Sequence, residues 1–194
     1  ENLDLNIAWV RGEGGIDFSR PNVFFALGMR GAGKSAFLEL CASRYLDNGG
    51  KVFDLFGSKD GEGLAWLRSP YAKDKRILLL RGDLVEVKSK HENIQATKFR
   101  LSDLDRADIF ISASPLYSDL DEEFTAVNHI LDVLWKRMSW TEPIFLVMRE
   151  AANLIYSRIK VRKNQIMAKS EALYMLRESR HCGLALGLDS IKHT

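Results

Sequence analysis

Gly28-Met29-Arg30-Gly31-Ala32-Gly33-Lys34-Ser35 is the stretch that decides how this chain reads. It matches the spacing G-x-x-x-x-G-K-[ST] of a phosphate-binding loop. Its flanks agree with the match. Asn22 to Leu27, N-V-F-F-A-L, reads as a short buried strand. Ala36 to Leu46 has helical spacing without Pro or Gly, and Asp47-Asn48-Gly49-Gly50 supplies a stop. Glycines admit backbone angles that side chains forbid, so successive N–H groups turn inward. The helix starting near Lys34 points its positive dipole end at the same spot. Gly28, Met29, Arg30, Gly31, Ala32, Gly33, Lys34, Ser35 and Ala36 are therefore expected to cradle the phosphates of a nucleotide. Lys34 is expected to reach the β- and γ-phosphates, and the Ser35 hydroxyl to ligate Mg2+.

Composition sets the frame around this loop. The 194 residues suit one domain with an adequate core, with residues 1–21 as an N-terminal extension packing on it. Hydrophobic content of 46% and charged content of 28% place the chain among globular rather than disordered sequences. A net charge of +2 decides nothing about nucleic acid, so local clustering must. Cys41 and Cys182 are the two cysteines, far apart, and read as reduced thiols of a cytoplasmic protein. No apolar run approaches the roughly 20 residues of a membrane span, and no secretory signal is visible. The chain starts at Glu1 rather than Met and stops soon after an expected strand, so further elements are expected beyond both ends.

Apolar runs recur along the chain. Leu3–Val10, Lys51–Phe56, Arg76–Leu80, Asp108–Ser112, Pro143–Met148 and Gly183–Leu188 read as strands besides the one before the glycine loop. Leu64–Leu67 and Ser102–Asp105 read as helical turns. Leu84–Lys98 is polar and poorly patterned, a hairpin or an excursion from the core. A long helix is expected over Asp119–Ser139, with Phe124, Val127, Leu131, Leu134 and Met138 on one face. Its acidic start (Asp119, Asp121, Glu122, Glu123) reads as a solvated helix terminus rather than a metal site. A second long helix is expected from Gln165 to His181. Strands of continuous apolar residues alternating with helices imply an α/β fold, a mostly parallel central sheet flanked by helices, with ligands at the C-terminal ends of its strands.

A phosphate cradle binds nucleotide, and hydrolysis also needs a group that orients water. Glu150, directly after Ile144–Met148, is the candidate, in the pattern of a hydrophobic strand followed by an acidic pair. One member of that pair is absent: Arg149 stands where an acid would support Mg2+. A cation there cannot do so. Asp54, at the end of the second confident strand, is the nearest substitute by topology. Asp189 and Ser190 follow the last expected strand, where a polar group can contact the γ-phosphate or water. Arg177 and Arg180 precede it, and either fits an arginine finger for a neighbouring subunit's nucleotide. Basic charge clusters between Arg158 and Arg180, where seven Lys or Arg stand against two Glu, and Arg158–Lys163 fits a basic loop for DNA phosphates. The four histidines show no metal-ligand spacing.

Together, the Gly28–Ser35 loop, Phe145-Leu-Val-Met-Arg-Glu-Ala-Ala-Asn-Leu154 and Glu178-Ser-Arg-His-Cys-Gly-Leu-Ala-Leu-Gly-Leu-Asp-Ser190 resemble the FtsK–HerA superfamily of P-loop ATPases. The resemblance runs from Phe24 to Ser190. Its small single-domain form is similar to the genome-packaging ATPases of archaeal turreted icosahedral viruses. The resemblance implies a three-layer, additional-strand, RecA-like P-loop NTPase that uses ATP and Mg2+. It further implies a homo-oligomeric ring, hexameric or pentameric, that moves double-stranded DNA, with a viral capsid or portal vertex as a further partner. Under that reading the chain packages a viral genome into a procapsid. A HerA-like cellular helicase or conjugation motor is the enzymatic alternative. A nucleotide-binding module with weak hydrolysis is the non-enzymatic one, and Arg149 is its main support.

Overall fold

The computed structural model describes residues 16–56, 61–137, 142–149 and 165–191. Expectations that fall outside these residues are the strand Leu3–Val10 with residues 1–15 of the N-terminal extension, Met138 and Ser139 of the long helix, Glu150 with Ala151–Leu154 after it, and the basic stretch Arg158–Lys163.

Continuous apolar runs become buried strands, because a strand covered on both faces has no wet side on which to place polar residues. Seven strands form one sheet: β1 (Val23–Gly28), β2 (Lys51–Phe56), β3 (Ile77–Arg81), β4 (Glu92–Gln95), β5 (Ile109–Ile111), β6 (Ile144–Met148) and β7 (Leu184–Ile191). Their order is β1-β7-β6-β2-β5-β3-β4, and every neighbouring pair is parallel. The helices are α1 (Lys34–Asp47), the one-turn α2 (Tyr71–Asp74), α3 (Leu120–Trp135) and α4 (Gln165–Glu178).

Crossovers between parallel strands are right-handed. The step from β1 through α1 to β2 runs across the sheet in one direction, and the steps from β5 through α3 to β6 and on through α4 to β7 run in the other. The helices therefore cover opposite faces. On the α1 face Tyr45 stacks on Phe145 with ring centroids 4.9 Å apart, and on the α3 face Phe124 stacks on Phe56 at 5.3 Å. A register shift in the β2–β6 pairing between Asp54 and Phe56 lets Phe56 turn to the α3 face.

Several local expectations are corrected. The strand before the glycine loop is not buried. It forms an edge, paired only with β7 among the described residues, and Val23, Phe25 and Leu27 are 51%, 55% and 61% exposed. An apolar run does not specify how many neighbours a strand has. The polar segment Leu84–Lys98 is no hairpin, since it contains β4, which joins β3 in parallel at the opposite edge. The long helix ends at Trp135 and begins on Asp119, whose carboxylate accepts from the N–H groups of Asp121 (2.8 Å) and Glu122 (2.9 Å). The last strand extends to Ile191, so Asp189 and Ser190 lie within it rather than after it. Among the described residues no helix is long and apolar enough to cross a membrane.

Candidate functional site: a phosphate cradle beside a buried arginine

All strands are parallel, so their C-terminal ends share one edge of the sheet. The glycine loop leaves β1 at that edge, and Arg149 leaves β6 there. Gly31 and Gly33 have φ of 79° and 80°, and a Cβ placed on either would meet nothing within 4 Å. Both φ values lie in the left-handed region that glycine tolerates, and the space beside both residues is open. The Ala32 N–H donates to the Met29 carbonyl at 3.2 Å and the Lys34 ammonium donates to the same oxygen at 3.0 Å, so Lys34 lies folded over the loop. Gly33 caps α1, and the Phe37 N–H donates to the Gly33 carbonyl at 2.9 Å. Backbone donors, a helix N-terminus and a lysine converge here, which is what a polyphosphate requires.

The second half of the site is built around Arg149, one of the largest fully buried side chains, only 2% exposed. Its guanidinium grips Asp54 bidentately, Nε to Oδ1 at 3.2 Å and Nη2 to Oδ2 at 2.8 Å. Nη1 donates to Glu62 at 3.0 Å and Nη2 to Glu39 at 3.3 Å. Burial alone would disfavour its charge. The charges of Asp54, Glu39 and Glu62 and the hydrogen bonds to Asp54 overcome that and hold its pKa above the ordinary arginine value. Backbone geometry fixes the residue too, since its N–H donates to the Phe56 carbonyl at 2.8 Å.

Asp54 does not present the open carboxylate expected of a metal ligand. It is 1% exposed, both oxygens are taken by Arg149, and Oδ2 also accepts from the Trp66 indole at 3.0 Å. Gly63 closes over it, since a Cβ at that position would come within 3.2 Å of the Asp54 carboxyl. The acid that reaches the cradle is Glu62, which opens the turn after β2 and accepts from the Ser35 hydroxyl at 3.2 Å. Nothing in the sequence singled it out.

The other expected residues are placed as follows. Asp189 is buried in β7, level with Ala26, and Ser190 lies level with Leu27, so both stand near the end of β1. Alternation from Gly187, where a Cβ would point at Leu38 of α1, puts Asp189 on the α1 face and Ser190 on the other. Arg177 is exposed near the end of α4 and pairs with Glu178 at 3.3 Å. Because α4 returns the chain to the start of β7, that end lies at the sheet edge opposite the cradle, as does the turn Ser179–Cys182 that contains Arg180. The Arg177 side chain therefore does not join the cradle of its own chain.

Residues that could hold Mg2+ in company with phosphate are present. Magnesium in such sites takes one or two carboxylates, with phosphate oxygens and water completing its shell. Ser35 and Glu62 supply a hydroxyl and a carboxylate side by side. Among the described residues no group of three or more His, Cys, Asp or Glu is arranged to hold a metal unaided.

An all-parallel sheet with a Gly-x-x-x-x-Gly-Lys-Ser loop between its first strand and first helix defines the P-loop NTPase fold. Solved structures to which the chain is similar include the conjugation coupling protein TcpA of pCW3 in its monomer form with ATPγS (13% identity, TM-score 0.49). The alignment covers 93% of this chain and 45% of that one. They also include the genome packaging NTPase B204 of Sulfolobus turreted icosahedral virus 2 with AMPPCP (17% identity, TM-score 0.44, covering 89% of this chain and 65% of that one). ATPases 2 and 3 of Thermomonospora curvata EccC are similar as well (14% identity, TM-score 0.44, covering 91% and 26%). This chain therefore spans less than two thirds of the length of each. No protein-family model matches the sequence, and no curated protein does.

Proposed function

We propose that the chain hydrolyses ATP and couples turnover to the movement of double-stranded DNA, with packaging of a viral genome into a procapsid as its setting. The observation that supports this reading most is the open cradle at the C-terminal edge of the sheet, with Lys34 folded over it and an acid beside Ser35. Bound with the nucleotide, Mg2+ would neutralise charge on the phosphate oxygens. In this reading Gly28–Ala36 binds and orients the phosphates, and Lys34 leaves the Met29 carbonyl to reach them. Glu150, the residue after Arg149, orients the attacking water, and of the two polar residues near the end of β1, Asp189, on the α1 face, is the one that contacts the γ-phosphate or water. Arg177 and Arg180, which precede β7 at the sheet edge opposite the cradle, serve a neighbouring subunit in a ring of five or six chains, with a capsid or portal vertex as docking partner.

Turnover of ATP with and without double-stranded DNA, measured alongside oligomeric mass, tests the proposal. Expected are stimulation by DNA and loss of activity in Lys34→Ala and Glu150→Gln. Turnover at background with intact nucleotide binding favours the second reading, a binding module, which the buried Arg149 in place of an acid supports. DNA stimulation without any effect of procapsids favours a helicase or conjugation motor.

A further inference from the structure

We propose that Glu62, held in place by Arg149, is the carboxylate that supports the nucleotide's magnesium beside Ser35, so that the metal-side acid comes from the turn after β2 instead of from β6. The inference rests on the nucleotide-binding reading above. In a P-loop site the acid that supports Mg2+ works next to the loop's serine or threonine hydroxyl. Of the four charged groups in the cluster, Glu62 is the one hydrogen-bonded to the Ser35 hydroxyl. Asp54 has its oxygens committed to Arg149 and Trp66 and no path to solvent. Glu62 is roughly half exposed at 48%, and the hydrogen bonds from Ser35 and Arg149 converge on one oxygen, Oε2.

Charge supports the same assignment. Arg149 brings one positive charge to three carboxylates, Asp54, Glu39 and Glu62, leaving the cluster two negative charges in excess. That excess lies on the Ser35 side of the cradle and matches a divalent ion. An arginine beside a metal would ordinarily repel it. Here its guanidinium is buried and taken up by carboxylates, bidentately by Asp54 and through Nη1 by Glu62. Arg149 is thus a positioning residue, which acts through Glu62 and not on the metal.

Binding of Mn2+, used as the paramagnetic probe, is measured by EPR on folded protein with a non-hydrolysable ATP analogue, and binding of the analogue is measured separately in EDTA. Wild type is expected to take up Mn2+ only with the analogue present. Glu62→Gln is expected to weaken Mn2+ by roughly tenfold or more while leaving analogue affinity in EDTA within about twofold, and Glu62→Asp to recover part of the loss. Arg149→Lys is expected to weaken Mn2+ by roughly tenfold at temperatures where circular dichroism shows it folded, an effect that simple destabilisation does not produce. Wild-type Mn2+ affinity in Glu62→Gln overturns the assignment. Failure of the underlying reading looks different: wild type and Lys34→Ala then bind the analogue equally poorly in EDTA.

Discussion

Arg149 and Asp54, the first from the end of β6 and the second from neighbouring β2, form a bidentate ion pair with both side chains buried, at 2 % and 1 % exposure. Removing one member of such a pair leaves the other charged in a low-dielectric site, which costs about 3–5 kcal/mol, whereas replacing both with apolar groups of similar size is far milder. Arg149→Ala should therefore lower unfolding free energy by about that amount. The double variant Arg149→Met/Asp54→Leu should recover most of it. Urea denaturation of the two proteins checks this. Equal loss in both would mean that the pair is held by the rest of the cluster and not by its own complementarity.

Among the described residues Lys34 makes one hydrogen bond, to the Met29 carbonyl, at the exposed loop. Its removal should barely alter the stability of the protein alone. Its effect should appear only with ligand: a ligand at about 100 times its dissociation constant adds about 2.7 kcal/mol to a folded protein. ATP should raise the melting temperature of wild type and leave that of Lys34→Ala unmoved. An equal rise in both proteins would remove the lysine from the binding site.

How much of this was legible in the chain follows from the range of each interaction. The glycine loop, the buried strands β2, β3, β5 and β6 and helix α3 rest on patterns a few residues long, and each is found at or within a few residues of its expected span. The edge position of β1 was not legible, because Val23–Leu27 is as apolar as a central strand and its exposure depends on neighbours far along the chain. The four residues of β4, Glu92–Gln95, carry no apolar alternation at all. Arg149 announced itself by breaking an acidic pair, and Asp54 was found beside it as a partner rather than a metal ligand. Glu62 stayed hidden: its contact with Ser35 spans 27 residues and its contact with Arg149 spans 87, and an acid between two glycines gives no periodic cue.

Gly187 lies where β7 is pressed between α1 and β6. A Cβ there would overlap the Phe145 ring and come within 3.0 Å of Leu38 Cδ2. Phe145 is itself stacked on Tyr45 and has no room to withdraw. Overpacking of a full core costs about 1–3 kcal/mol, so Gly187→Ala should lower the denaturation midpoint by that equivalent. Gly187→Ala combined with Phe145→Leu should regain part of it. A neutral Gly187→Ala would show that α1 can shift outward at no cost.

Glu122, in the first turn of α3, fastens two segments to the helix. Its Oε1 accepts from the N–H groups of Asp83 (2.7 Å) and Leu84 (3.1 Å), and its Oε2 from the N–H (2.7 Å) and hydroxyl (2.8 Å) of Ser118. Partial burial works to raise its pKa, but these bonds from Ser118, Leu84 and Asp83 favour the ionised form and bring it below the ordinary glutamate value. A carboxylate whose pKa is lower folded than unfolded stabilises the protein fully above the unfolded pKa, about 4.3, and loses that contribution as pH falls through the folded value. Glu122→Gln should thus cost on the order of 1 kcal/mol at neutral pH, a modest figure because water screens a partly exposed group. The gap between the two proteins should narrow as pH drops below about 4. Urea titrations across this range measure it directly. A gap that stays constant or widens in acid would mean that the ionised carboxylate is not what holds the 82–84 turn and Ser118 to α3.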